Sequence, residues 1–427
     1  MISIYRFVST FLYPILILLI FFRKLINKED KARYKEKIFP SSFSIIKKKN
    51  YDLIWFHAAS IGEVQSIFPI IKKLNSNKKN FQFLITTVTL SSGKLVQAEF
   101  KDYENIIHRY FPLDVNFLSK KFLALWRPKI VFFVDSEIWP NLILNIADEK
   151  IPLAIINGRI TSKTFKRWSL IPKTAKKIFN EFTFSLSSNS ETKEYLNKLG
   201  GKNIFYFGNI KFSNSLDFEK IKNKNKNILE NKNFWCAAST HKQEENFCIS
   251  AHLKLKKVTN NLLTVIIPRH IHRSKHIEKI CIKNGLNYQV LNKEDNILEN
   301  TEIVIINSFG VLQDYFKYAK SVFVGKSVIK NMEQDSGQSP ILAAKLGCKI
   351  YHGPYVYNFK EVYDILKKHN ISKEISNIDE LSDHLIEDFK FGKKDFSESK
   401  RMIDNLGSKI LDETTKKINY FLINEIK

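Results

Sequence analysis

The chain has 427 residues, 44% of them hydrophobic, which is too long for one ordinary domain and enough to bury two sizeable cores. Its 68 Lys and Arg against 43 Asp and Glu leave a formal charge of +25, which favours anionic partners. The basic residues are spread along a Lys-, Asn- and Ile-rich chain with no zinc-finger, RRM or base-reading pattern, so nucleic acid is not the expected partner.

Residues 7–22, FVSTFLYPILILLIFF, are almost wholly apolar and are followed by Arg23, Lys24, Lys28, Lys31, Arg33, Lys35 and Lys37. As a helix this run covers ~24 Å at ~1.5 Å per residue, short of a ~30 Å hydrocarbon core but able, with its flanks, to span or dip deeply. A cleaved signal peptide is the rival reading, but no small-residue cleavage site is evident and the positive flank follows the apolar run. A retained membrane-anchor helix with its basic flank, residues 1–38, is therefore expected, with the bulk of the protein on the cytoplasmic side.

Beyond the anchor, apolar runs at 52–57, 81–87, 106–111, 129–134, 151–156 and 182–187 read as strands, each followed by a segment of helical periodicity such as 64–74 or 191–199. The polar run KIKNKNKNILENKN reads as a solvated linker over 214–233. The alternation restarts with strands at 234–238, 262–267, 303–306, 321–324 and 349–352 and helices near 244–257, 339–346 and 360–368. Strand-then-helix alternation predicts parallel sheets with crossover helices, hence two doubly wound α/β domains, at 39–213 and 234–399. A terminal helical segment, 400–427, is expected to pack back toward the first domain. The four cysteines, at 236, 248, 281 and 348, form no CxxC pair and no ligand cluster, which predicts reduced thiols and no structural metal.

Ligands of open parallel sheets gather beyond the carboxyl ends of strands, where loops enter helix N-termini. Glu63, in HAASIGE, lies just past the first strand, where its carboxylate either serves as a general base or complements a helix dipole. Glu137, in VDSEIWPN, follows the fourth strand and either shares that crevice or sits beside an N-capping Ser136. Lys211, in FGNIKF, either meets a phosphate at the domain edge or is a surface lysine. In the second half, Ser239 and Thr240 are expected at a helix start with hydroxyls and N–H groups for an anion, and Arg269 can fork onto phosphate. His270 and His272 lack the neighbouring acids of a metal site. Gly310, Gly325, Gly337 and Gly353 punctuate strand ends as they would where backbone passes close to a nucleotide, but none belongs to a GxGxxG or Walker loop.

Taken in order, HAASIGE, SEIWPN, INGRITSKTFKRW, GNIKF, ASTHKQEE, PRH and GPYVYNF resemble the transferases of 3-deoxy-D-manno-octulosonic acid (Kdo), from about Arg33 to past Asn358. The resemblance implies a GT-B fold, two Rossmann-like domains facing a central cleft, and an inverting transfer from CMP-Kdo to the lipid A precursor lipid IVA at the inner membrane. It implies no metal or other cofactor. Glu63 matches the family's catalytic base, and Glu137 and Lys211 match positions that stabilise the transition state. Pro268, Arg269, Phe309, Gly310, Val311 and the loop Ser339, Pro340, Ile341, Leu342 correspond to CMP contacts, with Ser239, Thr240, His270 and Asn358 beside them. The chain departs from the pattern on the nucleotide side. Leu342 stands where the family has a glutamate, Val311 where it has an acid, and Gly325-Lys326-Ser327 where it has a double glycine. Losing one charge-assisted hydrogen bond costs ~1.5–3 kcal/mol, so a relative with an altered nucleotide-sugar donor and a non-catalytic lipid A-binding homologue are the alternatives.

Overall fold

Continuous apolar runs flanked by amphipathic helices bury both faces of a sheet, and the chain does this twice. The computed structural model describes residues 1–39, 48, 50–76, 80–214, 216–330, 336–390 and 397–425. They form two units, one of residues 1–214 with 406–427 and one of residues 215–405.

The first unit carries β1 (Asp52–His57), β2 (Phe81–Thr87), β3 (Ile106–Tyr110), β4 (Ile130–Val134), β5 (Leu153–Gly158), β6 (Phe184–Ser187) and β7 (Ile204–Tyr206). All are parallel, in the order β3-β2-β1-β4-β5-β6-β7, so the direction of winding reverses between β1 and β4. Trp55, Trp126, Phe122, Phe133 and Phe179 fill one face of this sheet. The second unit carries β8 (Asn233–Thr240), β9 (Leu262–Pro268), β10 (Tyr288–Leu291), β11 (Ile303–Ile306), β12 (Ser321–Val324), β13 (Lys349–His352) and β14 (Ser372–Glu374). Its order is β10-β11-β9-β8-β12-β13-β14, again all parallel, with the reversal between β8 and β12.

Four strands lie at sheet edges, and three of them, β7, β10 and β14, are only three or four residues long. Each has one neighbouring strand and side chains largely in contact with water, so hydrophobic patterning does not announce them. The segment read as a linker is partly structured: residues Lys226–Asn231 form a helix. Asn225 before it is buried, donating to the Asp295 carbonyl and accepting from the Ile297 N–H, so the amide side chain ties the segment to the loop after β10. The C-terminal helix Ser397–Glu425 gives its part from Leu406 onward to the first unit. Its Gly407 backs onto Phe212, where an added Cβ would sit 2.1 Å from the carbonyl oxygen, and Phe421 meets Phe184 edge-on with centroids 4.6 Å apart.

The expected single anchor helix is instead a pair, Ile2–Phe11 and Tyr13–Leu25, bent by 54° at Leu12, and no single helix among the described residues is long and apolar enough to cross a membrane. Pro14 in the first turn of the second helix suits a new start better than continuation. One side of the pair is tied to the first unit. Tyr5 donates to Asp114, Arg6 to Asn145, and Tyr13 to the Ile38 carbonyl, while Asn141 donates to Ser9. The other side exposes Ile4, Phe7, Phe11, Ile15, Leu18 and Phe22. The basic flank is not uniformly free either, since Arg23 and Lys37 pair with Glu29 and Arg33 pairs with Glu36.

Candidate active site at the first switch point

Two short loops leave the carboxyl ends of β1 and β4 at the reversal of winding, and both carry acids. After β1, Ser60 caps the helix Ile61–Asn75 in extended conformation. Its hydroxyl accepts from the Glu63 N–H and donates to Glu63 Oε1 at 2.7 Å, a variant of the S-x-x-E capping box in which the glutamate reaches the Ser60 hydroxyl in place of its N–H. Glu63 Oε2 accepts from the Ala59 N–H at 2.8 Å, and Ser92 pins the same loop by donating to the Ala59 carbonyl at 3.0 Å. The carboxylate is thus fixed at both oxygens, on a residue only 9% exposed.

That burial raises its pKa to about 7, reinforced by the negative charges of Asp135 and Glu137 and opposed by the hydrogen bonds from Ser60 and Ala59. A carboxyl titrating there exchanges protons at neutral pH, as a general base must. Capping the helix and serving as a base are therefore compatible at this position.

The loop after β4 begins at Asp135, whose backbone takes a positive φ of 62°. Its carbonyl accepts from the Arg159 N–H, and its carboxylate pairs with Lys211 Nζ at 2.9 Å. Lys211 is only one-fifth exposed, so it is neither a surface lysine nor a free cation. Asn157 at the end of β5 holds the Lys211 turn by accepting from the Ile210 N–H, and Asn209 accepts from the Lys211 N–H. Glu137 Oε2 accepts from Trp139 Nε1 at 2.7 Å and lies 3.3 Å from His57 Nε2. Glu63, Glu137 and Lys211 are thus gathered with Asp135 and His57, two residues the sequence reading left without a role. The signal for Asp135 was present, an acid directly after a buried parallel strand.

On the second unit, the residues expected to meet a nucleotide are distributed over the strand ends. Ser239 and Thr240 are not at a helix start: β8 runs to Thr240, bulging at Ser239 with φ 56°, and the next helix begins at Glu244. Pro268 ends β9 buried, Arg269 and His270 are exposed beyond it, and the Arg269 N–H donates to the Thr240 carbonyl. Phe309 is exposed, Gly310 has φ 76°, and Val311 is buried at the start of the next helix. The helix after Pro340 begins at Ile341, so Ser339 and Pro340 precede it and Leu342 lies in its first turn. The Asn358 N–H donates to the Ser336 carbonyl.

The residue that organises this second switch point is Glu244. Its buried carboxylate accepts from the N–H groups of His241, Lys326, Ser327 and Val328, joining the loops after β8 and β12. Gly325 is required by this knot, because a Cβ there would lie 2.7 Å from the Ser239 carbonyl oxygen and 2.8 Å from Glu244 Oε2. A Cβ added to Gly353 would likewise collide with the Ser327 carbonyl oxygen. Gly325→Ala is expected to destabilise the protein by ~1–3 kcal/mol in a denaturant titration, as overpacking does, leaving Glu63 chemistry intact in the molecules that remain folded. A variant as stable as wild type would show that the loops give way freely.

No group of three or more His, Cys, Asp or Glu able to hold a metal occurs among the described residues.

Two parallel Rossmann-like domains in one chain, with acids at the first switch point, define the GT-B-like class of two-domain enzymes. A solved structure of Anabaena Alr3699/HepE in complex with UDP-glucose shares this fold, with TM-score 0.59 and 11% identity over 86% of this chain and 99% of that one. Residues 32–214 match the family model described as 3-deoxy-D-manno-octulosonic-acid transferase (kdotransferase). The 3-deoxy-D-manno-octulosonic acid transferase of Rickettsia bellii is 30% identical over 83% of this chain and 82% of its own length. That of Rickettsia prowazekii is 26% identical over 99% of this chain and the whole of its own. The chain belongs to the 3-deoxy-D-manno-octulosonic acid transferase family, and it is a glycosyltransferase.

Proposed function

We propose that the protein transfers Kdo from CMP-Kdo to lipid IVA with inversion, in lipopolysaccharide synthesis, using Glu63 as the base. The observation that carries this reading is a buried carboxyl, titrating near pH 7, fixed at a strand-to-helix corner of the first switch point. Glu63 takes the proton of the acceptor hydroxyl as that oxygen bonds to the anomeric carbon. The bond from that carbon to the CMP phosphate breaks on the opposite face, and its electron pair leaves with the phosphate oxygen. Cationic character at the sugar is met by Glu137, and the Asp135-paired ammonium of Lys211 offsets negative charge. No metal or other cofactor takes part. Pro268, Arg269, His270, Ser239, Thr240, Asn358, the turn Phe309, Gly310, Val311 and the loop Ser339, Pro340, Ile341, Leu342 bind the CMP.

The bent helix pair seats the enzyme on the cytoplasmic face of the inner membrane. Its exposed Phe7, Phe11, Leu18 and Phe22, opposite the polar ties through Tyr5, Arg6 and Tyr13, support a pair lying along the surface in preference to one crossing it.

The test is one reaction of the full chain with CMP-Kdo and lipid IVA, resolved by mass. The expected product carries one or more added Kdo units, and an unchanged acceptor mass would overturn the reading. Leu342 and Val311 favour one second reading, a different nucleotide-sugar donor, because neither side chain can accept a hydrogen bond from a ribose hydroxyl. A panel of CMP- and UDP-sugars separates the two.

A further inference from the structure

The acids of the first switch point are approached from beneath by a chain of buried donors whose direction can be worked out. An indole N–H only donates. At one end Trp55 Nε1 donates to Thr86 Oγ1 at 2.8 Å, and at the other Trp139 Nε1 donates to Glu137 Oε2 at 2.7 Å. Between them stands His57, wholly buried and stacked on Phe111 at 3.6 Å between ring centroids. Its Nδ1 lies 3.0 Å from Thr86 Oγ1 and its Nε2 lies 3.3 Å from Glu137 Oε2.

Thr86, having accepted from Trp55, has one hydroxyl proton to place. The Phe56 carbonyl is 3.5 Å away, at the limit of a hydrogen bond, whereas His57 Nδ1 is closer. A proton donated to Nδ1 leaves the ring's own hydrogen on Nε2, pointing at Glu137. The competing arrangement has Nδ1–H donating to the Thr86 carbonyl at 3.2 Å. It sets the Nε2 lone pair against a carboxylate oxygen unless a second proton is bound nearby. For a neutral ring, only the first arrangement places a hydrogen between Nε2 and the carboxylate oxygen 3.3 Å away.

We propose that His57 is a positioning residue: a neutral imidazole bearing its proton on Nε2, oriented by Thr86, that with Trp139 clamps Oε2 of Glu137. Both contacts fall on Oε2, so the clamp fixes one carboxylate oxygen and leaves Oε1 out of it. The inference rests on the reading that Glu137 acts in the transfer. It assigns work to the histidine of HAASIGE, and explains why a threonine with a buried hydroxyl faces it from β2 across the sheet, Cα partner to Cα partner.

Two measurements test it. In the full-length protein, long-range nitrogen–proton correlation spectra of the imidazole should show His57 neutral with hydrogen on Nε2. An Nδ1–H tautomer or an imidazolium would overturn the assignment. In steady-state assays with CMP-Kdo and lipid IVA, Thr86→Val should lower kcat by roughly 10- to 100-fold with KM within about threefold of wild type, and Thr86→Ser, which keeps the hydroxyl, should restore most of it. An undiminished kcat in Thr86→Val sinks the positioning role, and should that variant not fold, the tautomer of the wild-type ring decides. Absence of any Kdo transfer by the wild-type protein would instead remove the functional reading and leave the hydrogen-bond assignment to stand or fall by its spectra.

Discussion

Glu63→Gln is expected to lower turnover by about 10²–10⁴-fold, the usual contribution of a positioned general base, and at the same time to make the protein more stable at pH 8. The second half follows from linkage. Burial and the charges of Asp135 and Glu137 raise the folded-state pKa from 4.5 to about 7, so the folded protein holds the proton more tightly than the unfolded chain does. The stability this group contributes is complete below about pH 4.5 and is lost as pH rises through 7, a change of about 3 kcal/mol. Glutamine never ionises and escapes that loss. It forfeits one of the two acceptor bonds, to Ser60 or Ala59, at about 1 kcal/mol. The variant should therefore gain about 2 kcal/mol over wild type at pH 8, with the gain fading toward pH 5. Denaturant titrations at the two pH values and an assay of transfer check both halves. Turnover within tenfold of wild type would remove the base assignment, and a variant less stable at pH 8 than wild type would remove the raised pKa. For the wild-type enzyme, kcat/KM should fall below about pH 7 as Glu63 takes up its proton.

Lys211→Met is the second large effect. It leaves the Asp135 carboxylate, 8% exposed, without its partner, and breaking a largely buried pair costs ~3 kcal/mol. The uncompensated charge of Asp135 also acts on Glu63, moving its titration, and with it the acid limb of the rate profile, above pH 7. Asp135→Asn alone should shift that limb the other way. In the double variant the stability loss should largely disappear, because no buried charge is left unpaired. A rate profile unmoved in Lys211→Met would mean that Asp135 does not sense its partner, and full wild-type stability would show that water replaces the ammonium.

The β-then-α alternation and the ordered motifs were legible because each rests on short-range signals. An apolar run of five to seven residues marks a buried strand, and Ser60 with Glu63 three positions on marks a helix start. Placement of Glu63 and Glu137 just after strands followed from the same patterns, whereas Lys211 was placed only at the domain edge, its strand β7 having gone unread. The edge strands β7, β10 and β14 were not legible, because runs of three or four mostly half-exposed residues are too short to show a period. The apolar N-terminal run was legible in composition and not in shape: its bend is set at Leu12 and Pro14, and its inner face by Tyr5, Arg6 and Ser9 reaching partners beyond residue 110. Ser239 and Thr240 were misplaced by the same local reasoning, since the bulge that prolongs β8 is imposed by pairing with β9.

What this sequence determined by itself is the two-domain parallel architecture and the places of Glu63 and Glu137 at its first switch point, since periodicity and capping act between residues a few positions apart. What only the tertiary structure decided is the surroundings of those acids. Asp135 meets Lys211 across 76 residues and His57 meets Glu137 across 80, and the pKa of Glu63 is raised first by burial and then by the charges of Asp135 and Glu137 in the loop after β4. Coulomb forces and desolvation act through space, so a carboxyl's proton affinity is fixed by which loops the sheet brings together and not by the letters beside it.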